Sequence, residues 1–140
     1  MSGFLMDTNV ISELVRPAPD ARVVKWVNET EETLLYLSVL TLGEIRKGIM
    51  SLGNKVRRGR LESWLEFELR ARFHGRILAI DDTVADRWGT IAAAAAARGR
   101  PVPVIDGLMA ATALDHNLTF VTRNASDVSA TGVRVLNPWL

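Results

Sequence analysis

The chain has no cysteine and only two histidines, His74 and His116, which lie far apart in sequence. Without cysteine there can be no disulfide scaffold and no thiolate metal site, and the composition suits the cytoplasm. Long apolar runs are also missing. Stretches such as LLYLSVLTL (34–42) are far too short to span a bilayer. No basic segment leads into an apolar run at the start, and Asp7 interrupts the first one, so neither a signal peptide nor a membrane partner is expected. There is no excess of one charge: 17 basic against 16 acidic residues give a net charge of +1, which neither demands nor excludes nucleic acid. Nothing reads as a linker or an internal repeat, so residues 1–140 are expected to form one domain.

What is present is a chain that is 48% hydrophobic, enough for a proper core. Five short β-rich runs occur at Phe4–Asp7, Leu34–Ser38, Arg76–Asp81, Thr119–Thr122 and Val133–Leu136. They are continuously apolar rather than alternating, as expected of a parallel sheet covered on both faces. Helical spacing separates them: Asp20–Asn28 after the Arg16-Pro17 break, Leu42 to Leu52, Leu61 to Phe73, Val84 to Ala95, and Asp106–His116. The run IAAAAAA (91–97) reads as a strong helix former that permits close packing, closed by Gly99. Two basic stretches, KVRRGR (55–60) and RARFHGR (70–76), read as solvated helix faces. Alternating strands and helices predict an α/β fold with a mostly parallel sheet.

In such a sheet, helix N-termini gather at the edge where the strands end, and ligands bind there. Four polar stations fall on that edge. Asp7 closes the first strand, and Glu44 lies in the first turns of the helix after the second. Asp106 begins the helix before the fourth strand, and Thr122, Arg123, Asn124 and Asp127 follow that strand. Thr41, Glu44, Gly48 and Ser51 make a small, polar stripe around one carboxylate, and small residues after Asp106 let its helix pack closely. Singly, Asp7 and Asp106 also read as helix caps, Glu44 as a solvated helix residue and Asp127 as a turn residue. Asp81 and Asp82 read as structural, with Asp82 capping the Val84 helix, and both histidines as surface residues. The coincidence of four stations is what points to a site. Crowded carboxylates raise one another's pKa unless a cation offsets them. With thiols absent, the fitting ion is Mg²⁺, or Mn²⁺ in its place, and such a site suits phosphodiester chemistry.

The pieces FLMDTNVISEL (4–14), YLSVLTLGEIRKGI (36–49), PVIDGLMAATA (103–113) and TFVTRNASD (119–127), with a terminal NPW (137–139), resemble PIN-domain ribonucleases. The likeness is greatest to VapC toxins of toxin–antitoxin pairs in the FitB-like branch, and it covers essentially the whole chain in order. It implies a three-layer α/β/α PIN-like fold with five strands in the order 3-2-1-4-5. It implies Asp7, Glu44 and Asp106 as metal-binding acids, with Asn124 or Asp127 completing the catalytic set. Some relatives carry Asp where Asn124 stands, and many carry an aromatic where this chain has Val128.

The function expected is therefore that of a Mg²⁺-dependent endoribonuclease toxin, in which a metal-activated water attacks the RNA phosphodiester. Thr8, Asn9, Thr122, Arg123, Arg46 and Lys47 are candidates for positioning the substrate. The resemblance implies a homodimer and a VapB-type antitoxin partner, in a larger assembly on operator DNA. One rival is a FitB-like regulator that serves as a dimer for a DNA-binding partner and has little nuclease activity. A phosphatase with a nucleophilic Asp7 is a distant second, because Asn9 stands where a second acid is wanted and no lysine follows Lys55.

Overall fold

The computed structural model describes residues 2–140. Strands β1 (Phe4–Met6), β2 (Leu35–Ser38), β3 (Ile77–Leu78), β4 (Thr119–Val121) and β5 (Val135–Leu136) form one sheet in the order β3-β2-β1-β4-β5. Every pairing in it is parallel. Both the fold class and the strand order agree with expectation. Each strand is shorter than the apolar run that announces it. The third shrinks most, from Arg76–Asp81 to two residues, because β3 is an edge strand that meets only Leu37 and Ser38 of β2.

Apolar runs become two cores because successive side chains of a strand point to opposite faces. Met6, Leu35, Leu37 and Val121 face one side, where they pack with Val10, Val23, Ile45, Leu65 and Phe73. These come from α1 (Thr8–Leu14), α2 (Ala21–Glu29), α3 (Val39–Met50) and the long helical segment that begins with α4 (Lys55–Ser63). Leu5 and Phe120 face the other side, with Met109, Ala110 and Ala113 of α7 (Val104–Asp115) and Val128 of a 3-10 turn (Ala125–Thr131). Helix α6 (Asp82–Ala97) packs on α7. The sheet is thus clothed on both faces.

Four local expectations need correction. Helix α7 starts at Val104 rather than Asp106. Pro103, with φ −53°, is preset for the entry, and Asp106 is the third helical residue. Asp81, not Asp82, caps α6, its carboxylate accepting from the Val84 N–H at 3.0 Å. The Leu61–Phe73 region is not one regular helix: α4 passes through a π-helical turn (Trp64–Leu69) into α5 (Arg70–Arg72), which keeps Leu65 and Leu69 buried and leaves Phe67 75% exposed. Of the alanines in 92–97 only Ala95 is buried, so the run contributes helix propensity more than packing.

Candidate functional site

The first strand ends on a carboxylate because Asp7 has partners on every side. Its N–H donates to Val121 O at 2.8 Å, which ties it to β4. Its side chain caps α1, with Oδ1 accepting from the Thr8 N–H at 2.7 Å. Its Oδ2 accepts from the Thr122 hydroxyl at 2.7 Å. Thr122 Oγ1 in turn accepts from Asn9 Nδ2 at 3.3 Å and from the Asn124 N–H at 3.1 Å. Asp7 is therefore a helix cap and a member of the polar edge at once. The chain crosses from one half of the sheet to the other between β1 and β4, the place where ligands bind in open α/β sheets.

Glu44 reaches the same place from the second turn of α3, whose N-cap Ser38 ends β2. The Thr8 hydroxyl donates to Glu44 Oε1 at 2.6 Å and lies 3.0 Å from the hydroxyl of buried Thr41. One residue, Thr8, thus holds both acids, Asp7 through its N–H and Glu44 through its hydroxyl. Asp106 approaches from α7. A Cβ on Gly107 would lie 3.0 Å from Trp88 Nε1, so the missing side chain is what lets α7 approach α6 this closely.

Electrostatics ties the stations together. Burial pushes the Asp7 carboxyl up to about 6; bonds from Thr122 and Thr8 oppose this, and the charges of Asp106 and Glu44 add to it. Asp106 is also raised, first by burial, then by Asp127 and Glu44. Among the described residues, no Lys, Arg or His forms an ion pair with either acid.

The other expected residues divide. Asn124 and Asp127 are exposed in the segment after β4; Asp127 adds to the field at Asp106, whereas Asn124 contributes its backbone N–H to Thr122. Arg123 is exposed beside them and Lys47 is exposed on α3. Arg46 is committed to an ion pair with Glu66. Residues that sequence reasoning missed include Arg57, which lines an apolar groove with Glu44, Ile45, Leu61 and Trp64. Glu13 was also missed. It is buried and held ionised by the Asp20 N–H and Arg16, and no pattern in α1 marks it.

Residues 4–129 match the PIN domain family. The chain belongs to that family. It is 41% identical over 135 residues to Toxin FitB of Neisseria gonorrhoeae, covering 96% of this chain and 97% of that protein. It is 35% identical over 135 residues to the VapC ribonuclease Y4jK of Sinorhizobium fredii, covering 96% of each. The crystal structure of FitAcB from Neisseria gonorrhoeae superposes with a TM-score of 0.94 at 40% identity, over 97% of this chain and 98% of that one. A structure of FitAB bound to an IR36 DNA fragment gives 0.93 at 39%, over 98% and 96%.

A PIN-type metal can be tested against these residues. The donors are all oxygen, which fits a hard divalent ion. Asn9 Oδ1, beside Asp7, is buried without a partner, and a cation or its water would relieve it. Among the described residues, no three His, Cys, Asp or Glu side chains lie close enough as placed to hold an ion directly. An ion at this edge would therefore be held in part through its own water. The oxygen donor set of this PIN domain fits a hard divalent ion.

Proposed function

We propose that this PIN-domain protein is a Mg²⁺-dependent endoribonuclease, the toxin of a type II toxin–antitoxin pair. The observation that carries the reading is the raised, buried Asp7 in the field of Glu44 and Asp106, with no ion-pair partner for any of the three among the described residues. Evolution of a fold with such unbalanced acids makes sense where a cation is bound. Asp7, Glu44 and Asp106 would hold the ion, directly or through water, and Asn124 or Asp127 completes the set. A divalent ion bound there supplies charge neutralisation at a phosphodiester and acidifies water. The protein's own residues do the rest. Thr122 and the Thr8 N–H fix Asp7, the Thr8 hydroxyl orients Glu44, and exposed Arg123 and Lys47 hold the RNA backbone.

Relatives named as a toxin and as a ribonuclease support this reading. The partner proposed is a VapB-type antitoxin. The apolar groove lined by Ile45, Leu61 and Trp64, with Glu44 at its wall, suits a protein segment whose apolar side chains lie in it and whose basic group meets the acids. A homodimer working in the cytoplasm belongs to the same reading; among the described residues, no helix is long and apolar enough to cross a membrane. The test is RNA cleavage with and without Mg²⁺. Asp7→Asn and Asp106→Asn should each abolish it with an unchanged circular dichroism spectrum, and cleavage by either at the parental rate refutes the reading.

A second reading rests on the DNA-bound FitAB structure and on Asn124 standing where some relatives have Asp: a regulator that acts mainly through a DNA-binding partner. Calorimetric Mg²⁺ titration beside the cleavage assay separates the two, since a regulator binds its partner and operator DNA without cutting RNA.

A further inference from the structure

A cleft of about 350 Å³, lined mostly by polar and charged residues, opens beside α1 and shares Thr8 and Ser12 with the apolar groove along α3. Thr8, Asn9 and Ser12 line it from one face of the helix, and Arg16, Arg123 and Trp139 close it. Glu13 lines it as well, but its carboxylate already accepts from the Asp20 N–H at 2.9 Å and from Arg16 at 3.2 Å. Two guanidinium groups against one carboxylate leave the lining net positive.

Arg123 is the notable member. It follows Thr122, whose hydroxyl bonds Asp7, so it is one residue from the acidic edge. Its guanidinium lies 5.4 Å from the centre of the Trp139 ring. That ring is only 5% exposed, and the turn carrying it is locked: Asn137 Oδ1 accepts from the Trp139 N–H at 2.9 Å, and Asn137 Nδ2 donates to Arg123 O at 3.3 Å. Among the described residues no acid pairs with Arg123, unlike Arg46, Arg72 and Arg76, which each meet a glutamate. A guanidinium set over an aromatic ring, with free donors, is pre-organised for a planar, bidentate anion contact.

Resting on the ribonuclease reading, we propose that this cleft is a phosphate subsite of the RNA strand, holding a phosphodiester adjacent to the scissile one. Arg123 is the main contact, Ser12 and Arg16 assist, and Trp139 positions Arg123.

The test has two readouts. Fluorescence anisotropy measures binding of a short single-stranded RNA to the Asp7→Asn protein across a salt series, and steady-state cleavage is measured on the otherwise unmodified chain. Arg123→Ala should weaken binding about tenfold or more and reduce the salt slope by about one. In cleavage it should raise KM with kcat nearly kept. Trp139→Leu should follow it in part, and Trp139→Phe, which keeps a ring, should restore most of the binding. Arg134→Ala, on the surface beside Asn117, should change neither readout. Parental affinity and KM in Arg123→Ala, or a fall in kcat alone, overturn the subsite while leaving the ribonuclease reading intact. Arg123-dependent RNA binding without Mg²⁺-dependent cleavage keeps an RNA phosphate contact at this cleft, but removes the ribonuclease reading and with it the place beside a scissile bond. A protein that neither binds nor cuts RNA refutes both.

Discussion

Asp7 has an ordinary value of 3.8 and a folded value of about 6, so in the metal-free protein its ionisation costs about 3 kcal/mol. Over that interval the folded state retains a proton that the unfolded chain has already lost. Stability from this group is therefore full below about pH 4, falls as pH rises towards 6, and stays reduced above. Asp106 is shifted the same way and adds to the effect. Glu13, Glu32, Asp20 and Asp81 are lowered, so theirs is lost only as pH falls below the ordinary carboxylate range. With chelator present, the urea midpoint should decline from pH 5 to pH 7. Asp7→Asn should flatten that decline and be the more stable protein at pH 7.5, by up to about 3 kcal/mol; a midpoint that rises over this range contradicts the assignment. Added Mg²⁺ should offset the loss in the parent by mass action and do less for the variant. The carboxylates were legible in the sequence because strand-end acids and their order along the chain are written there. Glu13 and Trp139 were not, since their roles depend on where the Asp20 N–H and the C-terminal turn return in space.

Elements are positioned by what their glycines leave out. Gly3 enters β1 against β2, and a Cβ there would lie 2.6 Å from Leu34 O and 2.9 Å from Tyr36 Cε1. Backbone cannot yield as a side-chain tip can, so Gly3→Ala should push the two strands apart at a cost of about 1–3 kcal/mol. Gly43, inside α3, meets nothing within 4 Å, and Gly43→Ala should stabilise that helix by up to about 1 kcal/mol. Urea unfolding of both variants checks the pair; equal effects, or a neutral Gly3→Ala, would mean that β1 is not seated as described. The same scale explains the misplaced boundaries. Asp106 resembles a cap by composition, yet Pro103 starts the helix earlier, and the acid gains a position inside the first turn of α7. The π-helical turn at Trp64–Leu69 leaves no mark in the apolar spacing, because Leu61, Trp64, Leu65 and Leu69 fit an ordinary helical stripe equally well.

At the scale of the molecule, one sheet serves two cores, and its short strands supply both. Leu5 goes to one and Met6 to the other; Phe120 and Val121 divide likewise. This is why continuous apolar runs were the right signal for a covered parallel sheet, and why strand order, which is a matter of crossovers, needed the family resemblance. Because the cores share their strands, neither layer has a surface on which to survive alone. We infer that residues 2–140 unfold as one unit, which two distant truncations can test. Phe73 is buried among the helices on one face and Phe120 under α7 on the other, both 0% exposed. Phe73→Ala and Phe120→Ala should each cost about 3–5 kcal/mol, a large share of the roughly 5–15 kcal/mol of a typical domain. In each, calorimetry, near-UV and far-UV signals should fall together in a single earlier transition. A variant that melted in two steps, keeping the opposite layer folded, would overturn that inference. The acidic edge is assembled from both halves of that sheet, Glu44 with β2 and Asp106 with the α7 layer, so the RNA cleavage proposed for it should disappear in the same transition for both variants.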